Sequence, residues 1–187
     1  MSRRFASFVA ASVISVAGSF SLANTYAVDP VHSSVAFKIL HNGVNHVFGT
    51  FSAPTGNVEL TDAGGKLDVT INVASVSTGN DNRDKHLKSN DYFASAQFPT
   101  VTFKADKVTK SADGTYSAEG NLTLRGVTKP FTATLTISEE KQGGRGGTVR
   151  GVETTFVIKR SDFGMTSGGA SLGDEVTLMV SLQSVKK

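Results

Sequence analysis

The sequence contains no cysteine. That excludes a disulfide framework, a thiolate metal site, a cysteine nucleophile and lipid attachment through an N-terminal cysteine. Stability must therefore come from burial and backbone pairing. The chain also lacks an apolar run of the roughly 20 residues that a membrane-spanning helix needs. Its longest such run, residues 5–18, falls short, so no stable membrane insertion is expected. A basic stripe is missing as well. Two of the 19 basic residues, Arg3 and Arg4, sit at the extreme N-terminus with none of the 16 acidic ones, so the rest of the chain is close to neutral. Its lysines alternate with Asp, Glu and Thr as on an ordinary solvated surface, which removes nucleic acid as an expected partner. There is no linker, no solenoid-length repeat and no low-complexity tail beyond the glycine-rich stretch at 143–147.

What is present begins with Arg3 and Arg4, the short apolar run, and the small residues Ser21-Leu22-Ala23. This order reads as a secretory signal over residues 1–23, cleaved near Ala23. Residues 24–187 then form one domain, since that length supports a single substantial core. Export without disulfides fits a bacterial periplasm.

Period-two alternation dominates the remainder. Leu67-Asp68-Val69-Thr70-Ile71-Asn72-Val73 and Phe131-Thr132-Ala133-Thr134-Leu135-Thr136-Ile137 each place apolar residues at odd positions and polar ones at even positions. Successive strand side chains point to opposite faces, so each segment has one dry and one wet face. Less regular segments of the same kind lie at 35–40, 47–51, 57–60, 101–108, 116–124, 149–158 and 176–185, about nine strands in all. Asp62-Ala63-Gly64-Gly65, Asp113-Gly114, Arg125-Gly126 and the 143–147 stretch separate them as turns. One short helix is expected over 81–89, capped by Asn80 or Asp81, with Leu87 as its apolar contact and Tyr92-Phe93 beyond it as anchors onto the barrel. Many antiparallel strands with one dry face each must stack as a sandwich or close as a barrel.

Three motifs suggest chemistry, and each has a plainer reading. Gly169-Ala170-Ser171-Leu172-Gly173 matches the serine-hydrolase pattern, whose nucleophile needs a strand, a tight turn and a helix. Here a strand pattern comes after the serine, which favours an ordinary loop. Asn80, Asn82, Asp84 and Asp91 have part of a calcium-loop spacing, but Lys85 stands where that loop needs glycine, so a capped helix is the better reading. His32, His41, His46 and His86 show no ligand spacing, and no metal is expected.

A family resemblance enters at Tyr26-Ala27-Val28-Asp29-Pro30-Val31-His32-Ser33-Ser34-Val35-Ala36-Phe37 with His41 just beyond. It continues through Leu87-Lys88-Ser89, Tyr92-Phe93 and Phe98-Pro99-Thr100-Val101-Thr102-Phe103, then Gly120-Asn121-Leu122-Thr123-Leu124-Arg125-Gly126-Val127-Thr128-Lys129-Pro130, and ends at Arg160-Ser161-Asp162-Phe163-Gly164-Met165. In this order and spacing the chain resembles the YceI-like family over nearly all of residues 24–187. Tyr92, where a Phe is common, and the richness of the 143–147 loop are small departures. The resemblance implies an all-β, lipocalin-like antiparallel barrel of about eight strands with one short helix. It also implies a periplasmic carrier of a polyisoprenoid or other long amphiphile.

A small barrel either fills its interior with side chains or leaves room for one ligand. Strand parity points inward Phe37, Ile39, Phe51, Val69, Ile71, Phe103, Leu122, Leu124, Leu135, Phe156, Ile158, Leu178 and Val180, the candidate lining. His41, Arg160 and Asp162 are the candidates for orienting a head group, with an Arg160–Asp162 ion pair as the alternative. The leading expectation is binding of an isoprenoid, quinone-like or fatty chain without catalysis and without a further cofactor, and a homodimer is compatible with it. Enzymatic action on such a lipid through His41 or Ser171, and a ligand-free structural role in stress, are the competing readings.

Overall fold

The computed structural model describes residues 24–61, 64–144 and 146–187. The expected signal segment and part of the turns at Asp62 and Arg145 lie outside the described residues. Among the described residues there are eleven strands: β1 (Asn24–Val28), β2 (Ser34–His41), β3 (Asn45–Ser52), β4 (Thr55–Thr61), β5 (Gly64–Asn72), β6 (Thr100–Lys110), β7 (Tyr116–Leu124), β8 (Val127–Ile137), β9 (Lys141–Gln142), β10 (Thr148–Lys159) and β11 (Leu172–Lys186). All pairings are antiparallel. Eight strands close a ring in the order β1-β4-β5-β6-β7-β8-β10-β11 and back to β1. The expected lipocalin-like barrel is therefore present, with β2, β3 and β9 as additions.

β9 is a two-residue strand on the end of β10, whereas β2 and β3 come from two long strands that each break in the middle. β1 pairs with β11 around Ser184, whereas β2 pairs with the same edge of β11 around Leu178, so the two lie end to end. Between them Asp29 and Ser33 bind the backbone of Gln183, which holds the break in place. β3 and β4 break at Ala53-Pro54, where Ala53 takes the left-handed conformation at φ 52°. Below that break β4 forms a full ladder with β5; above it β3 pairs with β2 and swings away from β5. The gap is filled by residues 73–99, which leave the barrel after β5 and return at β6. A Thr50–Ser77 backbone pair ties this excursion to β3. It carries the one α-helix among the described residues, α1 (Asp81–Leu87), with the Asn80 side chain accepting from the Arg83 N–H at 3.0 Å. The helix thus ends two residues earlier than the sequence suggests.

The narrow end is solid. Tyr26, Val58, Val152 and Ala118 are almost wholly buried there, packed with Leu135, Leu182 and their neighbours. At about 25 cal/mol per Å², this apolar burial is the main source of stability in a chain without disulfides. The buried Tyr26 ring delivers its hydroxyl to Glu140. Burial, then that carboxylate, pushes the phenol up, while Tyr26 and Lys186 hold Glu140 below the usual carboxylate range.

Candidate functional site: an apolar cavity under the strand break

At the opposite end the barrel is wider, because the β2–β3 hairpin and the 73–99 excursion together replace one tight ladder. A cavity of about 280 Å³ lies beneath them. Phe37, Ile39 and Val47 of the hairpin, Phe51, Leu87 and Phe93 form one wall. Ile71, Val101, Leu122, Leu124, Ile158, Val176 and Leu178 from the barrel form the other. Several of these face inward by strand parity yet remain only half-buried, namely Ile71, Val101, Ile158, Val176 and Leu178. Their exposure is to the cavity, and it is apolar surface that a packed core would have covered. The Phe93 ring meets Phe51 edge-on at 5.6 Å, which fastens the excursion over the cavity.

Gly49 makes the close approach possible. A Cβ there would lie 2.3 Å from the Phe37 ring and 2.9 Å from Thr78, so only glycine lets the ring and the excursion share this space. The polar members of the lining are His41, Thr78, Arg83, His86, Tyr92 and Arg160. No carboxylate joins them in the cavity wall. Most are already engaged. Arg83 donates from Nε to the Thr78 hydroxyl at 2.6 Å and from Nη2 to its carbonyl at 2.7 Å, and Thr78 donates to Asp84. The His86 ring contacts Asp91 at 2.9 Å and stands edge-on to Tyr92 at 5.0 Å.

Of the inward residues expected from sequence, Phe37, Ile39, Phe51, Ile71, Leu122, Leu124, Ile158 and Leu178 border the cavity. The other five face inward away from it. Val69 and Leu135 belong to the solid end, and Val180 packs where that core meets Val35 and Phe37. Phe103 meets Phe131 edge-on, with centroids 5.9 Å apart, and Phe156 is tilted against the same ring at 4.8 Å. These rings fill the interior where β8 and β10 share only two residue pairs, Ile137 with Val152 and Thr136 with Glu153. Parity gave the correct face, but not the depth at which side chains stop filling the barrel.

The head-group candidates divide. His41 is at the mouth, exposed at the end of β2. Arg160 borders the cavity, but its guanidinium is buried and committed to backbone. Nε donates to Gly173, Nη1 to Met165 and Ser167, and Nη2 to Leu172, at 2.8, 2.6, 2.6 and 3.0 Å. Asp162 is neither in the cavity wall nor paired with Arg160; it is exposed and pairs with Lys129 at 2.9 Å. The Arg160–Asp162 ion pair is thus replaced by a cage of carbonyls, which Arg fits because its five donors are spread in a rigid fork.

Ser171 lies in a short 3-10 turn that leads into β11, and its hydroxyl donates to the Gly168 carbonyl at 2.6 Å. The strand-turn-helix setting of a hydrolase nucleophile is absent there. Among the described residues no group of three or more His, Asp or Glu is placed to hold a metal. The calcium-like residues scatter: Asn80 caps α1, Asp84 accepts from Thr78 and Asp91 meets His86. Sequence reasoning missed Val47, Val101 and Val176, which share strand parity with chosen neighbours, Met165, which stands in a loop with no periodic signal, and Leu172, which opens β11 ahead of a register shift.

A YceI-like domain model matches residues 26–184. A UPF0312 protein of Yersinia pestis is 36% identical over 171 residues, covering 89% of this chain and 88% of its own. The crystal structure of a Campylobacter jejuni YceI protein superposes with a TM-score of 0.69 at 31% identity, over 77% of this chain and 87% of that one. A polyisoprenoid binding domain from Saccharophagus degradans, implicated in plant cell wall breakdown, shares the fold with a TM-score of 0.67 at 19% identity, over 87% and 98% of the two chains. Matched from its first strand to its last by the YceI-like model, and 36% identical to a relative over most of both chains, this protein belongs to the YceI-like family.

Proposed function

We propose that this chain is an exported carrier that encloses the apolar tail of a polyisoprenoid or similar long amphiphile and releases it chemically unchanged. The observation that supports this most is the set of inward-facing apolar side chains left half-covered around the cavity. Such surface is stabilised by an apolar guest and costs free energy when it is wet. The lining is mostly apolar with a few polar groups, among them the exposed His41, a composition that suits a molecule with one polar end. The Saccharophagus degradans domain of the same fold, described as polyisoprenoid binding, supports the ligand class. The N-terminal Arg3-Arg4, apolar run and Ala23 support export to a periplasm.

The test is purification from the native host without detergent, then organic extraction and mass spectrometry. A long-chain amphiphile at near one molecule per chain is the expected result. Protein that is free of lipid, and takes up none from isoprenoid alcohols, quinones or fatty amides offered to it, overturns the proposal.

A further inference from the structure

We propose that the tip of the β2–β3 hairpin docks the protein on the surface of an anionic lipid bilayer. Six large apolar side chains are exposed among the described residues, and three of them, Leu40, Val44 and Phe48, are on this one hairpin. Val44 is at its apex, 82% exposed, and Phe48 is 60% exposed on the outer face. β3 has a strand partner on one side only, apart from the single Thr50–Ser77 bridge farther down, while the β2 side of the tip is tied to the start of β11 through Asn42 and His41, so Val44 and Phe48 stand at a free sheet edge. An exposed apolar edge of this kind is an aggregation hazard unless something covers it.

Charge selects the cover. Residues 34–52 contain no Asp or Glu and one Lys, so nothing on the hairpin repels an anionic surface. The neighbouring segments do carry acids: Asp174 and Glu175 at the start of β11, and Asp81, Asp84 and Asp91 on the excursion, where Arg83, Lys85 and Lys88 offset them. Asp174 is turned to the Ser161 N–H and hydroxyl, and Glu175 is paired in register with Lys159. The same hairpin supplies His41 and Val47 to the cavity lining, His41 being exposed. A bilayer that received Val44 and Phe48 would therefore lie against the opening, where a membrane-held amphiphile must enter. The surface argument is independent of the carrier reading, which the inference uses only to explain why docking and cavity share one end. Three small insertions with one lysine give weak, reversible attachment.

The absence of cysteine makes the test direct. Val44→Cys is labelled with an environment-sensitive nitrobenzoxadiazole dye, and Ala112→Cys, in the turn at the opposite end, is labelled as control. Each is mixed with vesicles of pure phosphatidylcholine or of one third phosphatidylglycerol. A blue shift of the Val44 probe with the anionic vesicles, and none at Ala112, is expected. Val44→Asp/Phe48→Ser should lower vesicle co-sedimentation about tenfold while keeping the wild-type circular dichroism and the wild-type uptake of detergent-dispersed isoprenoid alcohol. That last measurement separates the two readings, since loss of uptake from detergent would count against the carrier and not against docking. Equal probe responses at both ends, or co-sedimentation unchanged in the double variant, overturn the inference. So does a dimer that Phe48→Ser dissociates in the absence of any vesicle binding.

Discussion

Replacing Arg160 by methionine keeps the length and most of the apolar stem while deleting every donor. Four carbonyls, those of Met165, Ser167, Leu172 and Gly173, then lose their partner at once. Hydrogen bonds from a charged group contribute roughly 1.5–3 kcal/mol each, so four independent losses would reach about 6–12 kcal/mol. The actual cost is smaller for two reasons. The loop is partly exposed and can turn carbonyls to water. The variant also no longer buries a guanidinium whose direct partners are carbonyls and not a carboxylate, which recovers part of the desolvation penalty. About 3–5 kcal/mol is the expected net loss, the range for breaking a buried charged network. Urea unfolding monitored by far-ultraviolet circular dichroism measures it. Arg160→Lys should recover only part, because a single ammonium cannot reach four carbonyls spread over residues 165–173. Met165 and Leu172 border the cavity, so Arg160→Met protein that still folds should also take up less ligand. A loss below about 1 kcal/mol, or full recovery with lysine, would refute the role given to this arginine.

Gly49→Ala should destabilise the protein by about 1–3 kcal/mol through overpacking against Phe37, seen as a lower urea midpoint with unchanged slope, and a neutral result would contradict the close approach. Asp174 is held below the usual carboxylate range, first by the Ser161 N–H and then by its hydroxyl. Its folded value being depressed, it adds stability that is present above the unfolded carboxylate's value and is lost as pH falls through the folded one. A carboxyl carbon titration by nuclear magnetic resonance should find Asp174 titrating low, and Ser161→Ala should move it upward; identical curves in both proteins would contradict the assignment.

The ring of strands was legible because alternation is a local property: Leu67 to Val73 and Phe131 to Ile137 announce a dry face without any knowledge of neighbours. β1 and β9 escaped strand assignment because five and two residues give too little period to read. The two breaks were not legible either. A left-handed Ala53 is no sequence signal, and the Asp29–Ser33 break is held by Gln183, about 150 residues away. Since those breaks widen one end, the location of the cavity was out of reach too. Val69 and Ile71 look alike in the sequence, yet one packs into the solid end and the other borders empty space. Asp162 was misplaced for a related reason, because its neighbour Arg160 finds partners in a loop whose path only the fold determines.

The central claim, that the cavity under the strand break holds a long apolar chain, is tested most directly by filling it. Leu178 of β11 borders the space, and Leu178→Trp should obstruct it at a stability cost of no more than about 1–3 kcal/mol. Delipidated wild type and variant are melted with and without a long-chain isoprenoid. Ligand at about 100 times its dissociation constant contributes roughly 2.7 kcal/mol, so wild type should rise by about 5 °C or more. The variant should not move. A rise of equal size in both proteins would place the ligand elsewhere, and no rise in either would contradict the carrier account.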